Sequence, residues 1–420
     1  MEEIFQVFAL IVMLMVAICF SYQLVYVFIA LVRKPKKFYA NKKHRYAVLI
    51  SARNERAVIG NLIASIQSQT YDKDLIDIVV IADNCTDDTG EIAEKAGAIV
   101  YRRYNTKNIG KGYALDYGLK QIEKEVGIDY YDGYFVIDAD NILEEDYVEN
   151  MNNVFDNGYR VVTSYRNSKN IGSNWITFGY GLWFLREAKY INNVRMMLGI
   201  SCVVSGTGFL VSSEILKKNH GWKHHLLTED IEFSVDNIIQ GEKIGYCADA
   251  IFYDEQPETF QASWHQRMRW SRGFYQVFYR YGKNLVKQGI KRLDFSCYDM
   301  FITLVPGLGV ALVMGLFTVL SLGIGMFDFE TVVLKCGESL IKSGIMSYVT
   351  MFILGAITLV TEWKQVHCKK SKAIMYLFLF PFFMFTYLPI SIVALFYTPE
   401  WKPILHTVVV TRKDIHNVHE

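Results

Sequence analysis

Long uncharged apolar runs frame a region of mixed pattern in this chain. From Phe5 to Val32 the sequence is almost wholly apolar and carries no charge, and this run exceeds the roughly 20 residues that cross a bilayer. A basic cluster between Arg33 and Arg45 follows it, and the positive-inside rule places that flank in the cytoplasm. We therefore predict an uncleaved transmembrane anchor over residues 1–33, with the N-terminus outside.

The mixed region, residues 46–293, alternates short β-branched runs with polar helical stretches. This alternation predicts an α/β domain with a doubly wound sheet of parallel strands, which binds ligands at the carboxyl ends of its strands. The predicted strands are Tyr46–Ser51, Ile76–Ala82, Ala98–Arg102 and Tyr134–Asp138, with helices near Arg56–Ser68 and Gly90–Ala96. Apolar positions at helical spacing also predict two amphipathic interfacial helices, near Trp175–Lys189 and Trp264–Lys287.

A predicted C-terminal transmembrane region over residues 298–398 contains three apolar stretches: Tyr298–Phe327, Ile345–Val360 and Ala373–Tyr397. Glu338 and Lys342 predict a loop before the second stretch. Basic residues between 364 and 372 place the last connection in the cytoplasm. Four spans in total would leave the tail, residues 399–420, outside, whereas a broken or re-entrant pair in the first stretch would change its side.

Composition agrees with a chain that lies partly in lipid, since 51% of residues are hydrophobic and 15% aromatic. The net charge of +1 gives no global field that would attract nucleic acid. The seven cysteines show no CxxC pair and no metal-ligand spacing, which favours a reducing compartment.

Carboxylates follow three of the predicted strands. Asp138 and Asp140 end the fourth strand, Asp83 the second, and Glu55 follows the first. Closely spaced carboxylates can hold a divalent cation that neutralises a nucleotide-sugar diphosphate, and Asp83 can accept an N–H of uracil. The alternatives are a surface turn at Asp138–Asp140 and a helix N-terminal charge at Glu55.

Five further positions suit a transferase. A glycine-flanked lysine, Lys111, precedes a helix and can balance the charge of a diphosphate. Asp230 can take the proton from an attacking hydroxyl, as an inverting transfer requires. Gln266, Arg269 and Trp270 offer an amide, a charged fork and a flat ring for a pyrophosphate and a sugar, although an interfacial helix alone would explain this segment.

In order, the motifs ARNE, the aspartate after the second strand, DAD, TED and QRMRW resemble the signature of family 2 glycosyltransferases of the processive, membrane-bound type. Cellulose, chitin, hyaluronan and poly-N-acetylglucosamine synthases belong to this group. The resemblance covers about Tyr46 to Gly273. It implies a GT-A-like fold, a UDP-sugar donor carrying glucose or N-acetylglucosamine, and Mg²⁺ or Mn²⁺ as cofactor.

The resemblance also implies roles on the donor side. Glu55 and Asp83 would contact the uridine, and Lys111 the diphosphate. Asp138 would bind the nucleotide or the donor sugar, and Asp140 would bind the metal.

On the acceptor side, the resemblance implies that Asp230 is the catalytic base. Gln266, Arg269 and Trp270 would border the donor diphosphate and the acceptor sugar. The small residues of 205–208 resemble an acceptor-side loop.

We predict an inverting hexosyltransferase that elongates a β-linked polysaccharide, with or without translocation. The alternative is transfer of a single sugar to a membrane lipid, as by ceramide glucosyltransferases. An inactive transporter or scaffold is disfavoured by the carboxylates and by the near absence of charge in the apolar stretches. The expected partners are a UDP-sugar, a glycan or lipid acceptor and membrane lipids, without nucleic acid. The expected location is the plasma membrane, as a multi-pass protein with its catalytic domain in the cytoplasm.

Overall fold

The computed structural model describes residues 2–304, 329–400, 406 and 408–416. Its centre is one sheet of eight strands: β1 Tyr46–Ala52, β2 Ile76–Asp83, β3 Ile99–Arg103, β4 Gly133–Asp138, β5 Ile142–Leu143, β6 Val161–Ser168, β7 Phe209–Ser212 and β8 Ile244–Asp254. Their order across the sheet is β3-β2-β1-β4-β7-β6-β8-β5.

The four predicted strands form one parallel half of this sheet. β2 and β4 flank β1, and β3 pairs with β2, all in parallel. Each observed strand end lies within one residue of its predicted position. In the other half, β7 runs antiparallel to both β4 and β6, whereas β8 is parallel to β6. The predicted α/β fold is confirmed, and the sheet is mixed.

Helices pack against the sheet and against one another. They are α1 Glu2–Val32, α2 Ile59–Gln67, α3 Thr89–Lys95, α4 Lys111–Glu125, α5 Tyr147–Phe155, α6 Trp175–Arg186, α7 Asn193–Leu198, α8 Ser213–Lys218, α9 Glu229–Gln240, α10 Phe260–Arg292, α11 Phe295–Leu304, α12 Phe329–Thr361, α13 Lys370–Phe385, α14 Tyr387–Phe396 and α15 Arg412–His416. A π-helix, Glu187–Asn192, joins α6 to α7.

The two predicted amphipathic helices differ in burial. In α10, the buried residues Ser263, Arg267, Val277 and Leu285 recur at helical spacing and the opposite face is open, as predicted. In α6, nine of the twelve residues are buried, so the helix lacks a polar face. The reason is that α6 is enclosed between β6 and the helices α12 and α13.

Two C-terminal segments, Ile341–Thr361 and Lys370–Phe396, are long and apolar enough to cross a membrane by length and composition. The predicted loop at Glu338 and Lys342 is wrong, because both residues lie within α12. Their side chains form an ion pair at 2.5 Å with a spacing of four residues, which an α-helix favours. Of the predicted stretch Tyr298–Phe327, residues 305–327 lie outside the described residues.

The tail returns to the sheet domain. Ile415 is buried in a cluster with Ile142 and Tyr253, and His416 lies 2.8 Å from Glu144. A segment that packs on the sheet must lie on the same side of a membrane as the sheet. The number of spans and the side of the tail stay predictions, and of the two alternatives given above this packing favours a tail on the side of the sheet domain.

Close packing between α6 and α13 depends on a glycine. A Cβ atom on Gly179 would lie 2.4 Å from Cγ of Phe383, which is shorter than any real contact. We expect Gly179→Ala to lower the free energy of unfolding by roughly 1–3 kcal/mol, because the ring or the helix must move. Thermal unfolding of the full chain in detergent measures this.

The matched control is Gly344→Ala, where an added Cβ would meet no atom within 4 Å. Alanine stabilises a helix interior more than glycine does. This control is therefore expected to leave the midpoint temperature of thermal unfolding unchanged or to raise it. Equal destabilisation by both substitutions would contradict the packing argument.

Candidate active site

A polar cavity of about 190 Å³ lies at the carboxyl ends of the parallel strands. It brings together all nine residues that the sequence predicts for the site: Glu55, Asp83, Lys111, Asp138, Asp140, Asp230, Gln266, Arg269 and Trp270. The sequence thus predicts which residues meet. Their individual roles stay predictions.

Two asparagines in left-handed conformation turn the chain at the ends of β1 and β2. Asn54 has φ 60° and Asn84 has φ 54°, a region that asparagine tolerates better than most residues. The Asn54 side chain accepts a hydrogen bond from Thr86 N, and the Asn84 side chain accepts one from Asn105 N, both at 2.8 Å. These bonds fix the loops that carry Glu55 and Asp83 to the cavity.

Asp83 is held by a buried ion pair. Arg103 Nη1 donates to Asp83 Oδ1 at 2.5 Å, and Asn84 Nδ2 donates to the same oxygen at 3.0 Å. Both charged side chains are almost fully buried. Since the two contacts use Oδ1, the carboxylate has a fixed orientation at the cavity wall.

Lys111 opens α4 directly after Gly110, whose φ of 134° favours glycine. Its ammonium donates to Asp138 and, at 2.8 Å, to the carbonyl of Gly206. A Cβ on Gly112 would lie 2.2 Å from His224 O, so this glycine allows close approach of two backbones. The two glycines that flank Lys111 therefore have different functions.

The DAD segment presents two different carboxylates. The Asp138 side chain is 38% exposed towards the cavity, whereas Asp140 is buried and accepts a hydrogen bond from Glu255 N at 2.8 Å. Burial alone would raise the pKa of Asp140, but His406 and Lys169 hold it below its ordinary value. Asp140 is thus an ionised carboxylate at neutral pH.

Glu229 and Asp230 begin α9 and face the cavity from the other side. Burial and the charge of Asp230 raise the pKa of Glu229 to about 7. Burial also raises the pKa of Asp230, opposed by the N–H of Ile231 and by Lys111. This pair therefore exchanges protons closer to neutral pH than ordinary carboxylates do.

The QRMRW segment of α10 points in two directions. Gln266, Arg269 and Trp270 line the cavity, and Trp270 packs edge-on against Tyr180 with ring centroids 5.8 Å apart. Arg267 is fully buried on another face, where its Nη1 donates to the Thr386 hydroxyl at 2.6 Å and to Phe383 O at 3.2 Å. The QRMRW motif thus contributes side chains to the cavity and also attaches α10 to the C-terminal helices α13 and α14.

Sequence reasoning missed several charged residues of the cavity wall, among them Arg166 and Asp254. Arg166 Nε donates to Asp254 Oδ2 at 2.7 Å, and its guanidinium lies 3.8 Å from the ring centroid of Phe184. Burial raises the pKa of Asp254 to about 6, and Arg166 opposes this. Asp254 ends a buried strand as Asp83 does, and that pattern was the signal available for finding it.

The sequence also gave no indication of His406. Its Nδ1 lies 3.0 Å from both carboxylate oxygens of Glu55, a residue 351 positions away. Although burial disfavours its charged form, Asp140 and Glu55 raise the pKa of His406 to about 10. The tail therefore contributes a cation to the side of the cavity where Glu55 lies.

The model of the glycosyltransferase like family 2 matches residues 44–273, and all nine predicted site residues lie within the matched region, whereas His406 lies outside it. This chain belongs to the family 2 glycosyltransferases.

Curated relatives of this glycosyltransferase are moderately similar. It is 28% identical over 275 residues to the probable glycosyltransferase YdaM of Bacillus subtilis, covering 62% of each chain. It is 26% identical over 268 residues to the beta-monoglucosyldiacylglycerol synthase of Synechocystis sp., covering 62% of this chain and 54% of that one. It is also 26% identical over 242 residues to the poly-beta-1,6-N-acetyl-D-glucosamine synthase of Staphylococcus aureus, covering 55% of each. The matches thus span about three fifths or less of these relatives.

Among solved structures, the glycosyltransferase is similar to a mannosyltransferase from Pyrobaculum calidifontis in complex with GDP-mannose and Mn²⁺. The TM-score is 0.56 at 14% identity, with 91% of this chain and 98% of that chain covered. At this identity the likeness shows the fold alone, and it confirms the GT-A-like architecture.

The carboxylates of the cavity fit a divalent cation that is shared with a diphosphate. Within the part of the chain that the structure describes, no three His, Cys, Asp or Glu side chains form a preassembled metal site. Mg²⁺ is usually bound by one or two carboxylates together with substrate phosphates and water. Asp140, with the partly exposed Asp138 beside it, is a donor set of that kind.

The raised pKa values at the start of α9 predict a pH dependence of the glycosyltransferase. A catalytic carboxylate must be ionised to accept a proton, and a raised pKa keeps it protonated at mildly acidic pH. If Asp230 is the base, we expect the transfer rate at saturating donor to rise between the ordinary range of an aspartate, about pH 4, and neutral pH. The measurement is the pH profile of kcat.

Glu229→Gln provides the control for this profile. It removes the group whose pKa lies near 7 and keeps Asp230, so a rise that belongs to Asp230 should remain in the variant. A kcat that does not change between these pH values in the unmodified chain would contradict the assignment.

Proposed function

We propose that this glycosyltransferase moves a hexose from a UDP-sugar onto a growing β-linked glycan, with inversion at the anomeric carbon. The observation that supports this proposal most is the meeting of Asp230 with Lys111, Asp138 and Arg269 around one cavity. A proton acceptor on one side and cations beside the expected diphosphate on the other are what an inverting transfer needs.

In this proposal, Glu55 and Asp83 bind the uridine. The Arg103 ion pair orients Asp83, so its carboxylate meets the base without reorganising. Lys111 and Arg269 lie where they can balance the negative charge of the diphosphate as the sugar leaves.

Asp140, with Asp138 beside it, would hold Mg²⁺ or Mn²⁺ together with the donor diphosphate. When bound, such a cation neutralises charge on the leaving group. Lys111 and Arg269 would then orient the phosphates. The Asp138 and Asp140 carboxylates would fix the position of the metal-bound diphosphate relative to the sheet.

On the acceptor side, Asp230 takes the proton of the acceptor hydroxyl while the hydroxyl oxygen bonds to the anomeric carbon. The bond from that carbon to the diphosphate oxygen breaks, and UDP leaves. Trp270 offers a flat face on which an acceptor sugar ring can stack, and Gln266 offers an amide for its hydroxyl groups.

We place this reaction at the cytoplasmic face of the plasma membrane, in a multi-pass protein. The two apolar segments in α12 and α13–α14 support membrane insertion, and α1 is the proposed N-terminal anchor. We also propose that the tail, which packs on the sheet domain, lies on the same side of the membrane as that domain.

The second candidate function is transfer of one sugar to a membrane lipid. It is favoured by the similarity to the beta-monoglucosyldiacylglycerol synthase of Synechocystis sp., to which this chain is 26% identical, as it is to the poly-beta-1,6-N-acetyl-D-glucosamine synthase. The motifs that line the cavity do not separate the two products.

The test is incubation of the purified full chain with membrane lipids and radiolabelled UDP-glucose or UDP-N-acetylglucosamine. GDP-mannose serves as the comparison donor. A ladder of long products is expected. A lipid carrying one sugar would replace the first proposal by the second, and transfer from GDP-mannose alone would contradict both.

A further inference from the structure

A second cavity, of about 420 Å³, lies where α1 joins the sheet domain. None of its lining residues belongs to the active-site cavity. Four basic side chains and one carboxylate line it: Lys36, Lys37, Arg160, Lys243 and Glu242. We call this the basic pocket.

The charge of the basic pocket is only partly compensated. Glu242 accepts two hydrogen bonds from Arg160 Nη2, at 2.5 and 2.6 Å. Across the described residues, neither Lys36, Lys37 nor Lys243 forms an ion pair with a carboxylate. Excess positive charge therefore gathers here in a chain whose net charge is +1.

The basic pocket combines exposed basic side chains, Lys36, Lys37 and Arg160, with half-buried aromatic ones. Its aromatic side chains, Phe38 and Tyr159, pack edge to face with ring centroids 5.9 Å apart, and Lys36 Nζ lies 4.8 Å from the ring centroid of Phe38. The following segment is tied to α5, since Asn153 accepts a hydrogen bond from Ala40 N at 2.9 Å. These contacts hold the linker lysines against the sheet domain.

The position of the basic pocket matches a membrane surface. It begins four residues after α1 ends at Val32, and the apolar side chains of Leu24 and Phe28 on that helix are 68% and 65% exposed. On the other side, Lys243 approaches Gly199 at the end of α7, and α7 packs on α1. The pocket thus lies next to the end of the proposed anchor in sequence, and α7 connects the two in space.

We propose that the basic pocket binds the phosphodiester headgroup of an anionic phospholipid such as phosphatidylglycerol. Ammonium groups recognise the phosphate, and Glu242 can accept a hydrogen bond from a headgroup hydroxyl, which a choline headgroup lacks. A lipid held here sets the height of the sheet domain above the bilayer. This inference rests on the proposed membrane placement of α1 and is independent of the transfer chemistry.

The test uses the full chain in nonionic detergent, titrated with short-chain phosphatidylglycerol and followed by native mass spectrometry. Short-chain phosphatidylcholine, glycerol 1-phosphate and inorganic phosphate are the comparison ligands. The variant Lys37→Ala with Lys243→Ala removes two pocket charges. The control Lys95→Ala with Lys124→Ala removes two exposed charges from the sheet domain, so the net charge is equal.

We expect one phosphatidylglycerol to bind the unmodified chain and the control with equal affinity. The pocket variant should bind it about 30-fold more weakly, equivalent to about 2 kcal/mol for two lysines near an anionic headgroup. Sugar transfer is measured separately, so loss of lipid binding with intact transfer still supports the inference. Equal binding by the pocket variant, equal binding of phosphatidylcholine, or displacement of the lipid by inorganic phosphate at the same concentration would each overturn it.

Discussion

Replacing Asp230 with asparagine is expected to lower the rate of sugar transfer at saturating donor by roughly two to four orders of magnitude. Asparagine keeps the size of the side chain and most of its hydrogen bonds but cannot accept a proton. The carboxylate faces the cavity from the first turn of α9, on the side where Gly206 and Lys111 also line it. The measurement is the single-turnover rate with saturating donor, and the affinity for the donor is measured by calorimetry.

The affinity for the donor should change little in Asp230→Asn, because the base faces the acceptor. Asp83→Asn is expected to do the opposite, with weaker donor binding and a smaller loss of rate at saturation. Asparagine is preferable to alanine at this position, because alanine would leave the buried Arg103 without its partner.

The alternative role of Asp230 is a favourable charge at the N-terminus of α9. Losing that interaction costs roughly 0.5–1 kcal/mol of stability and no chemistry. A folded Asp230→Asn chain with a near-normal rate would therefore remove this residue from the mechanism. Glu229, with its pKa raised to about 7, would then be the next candidate.

The second large effect is expected at the DAD segment. Asp140→Asn should abolish transfer without unfolding the chain, because it removes an anionic ligand from a hard cation that prefers charged oxygen. The unmodified chain should lose its activity in excess chelator and recover it with Mg²⁺ or Mn²⁺. Transfer assays with and without chelator measure both effects.

The matched control is Asp146→Asn, a nearby exposed aspartate at the start of α5. It removes the same charge from outside the cavity and should leave the rate within twofold of the unmodified chain, as expected for a surface substitution. Full turnover in excess chelator would show that the DAD segment serves only as a turn.

Much of the fold could be predicted from local sequence pattern. The four parallel strands are short, apolar and bounded by polar residues, and the buried pattern of β1 follows directly from its sequence. Because parallel strands share one carboxyl edge, Glu55, Asp83 and Asp138 had to meet there. The TED and QRMRW motifs were assigned to the same site only because of their order in the family signature. No local sequence pattern predicts that their side chains meet the strand-end carboxylates.

The missed features depend on contacts between distant segments. His406 reaches Glu55 only because the tail folds back, and nothing around it in sequence indicates a partner. Glu338 and Lys342 were interpreted as a loop because they are charged, but their spacing of four residues lets them neutralise each other on α12. Helix α6 is buried on all sides because β6, α12 and α13 pack around it, and the spacing of its own apolar residues does not indicate this.

The returning tail also has a consequence for how the protein behaves in solution. The strand β5 lies at one edge of the sheet, and uncovered strand edges promote association between molecules through backbone pairing. In this chain Ile415 covers Ile142 beside that edge, and Arg412 pairs with Glu145. A chain shortened before residue 406 would present this edge to its neighbours, so its tendency to aggregate should rise even with every cavity residue of the sheet domain still in place.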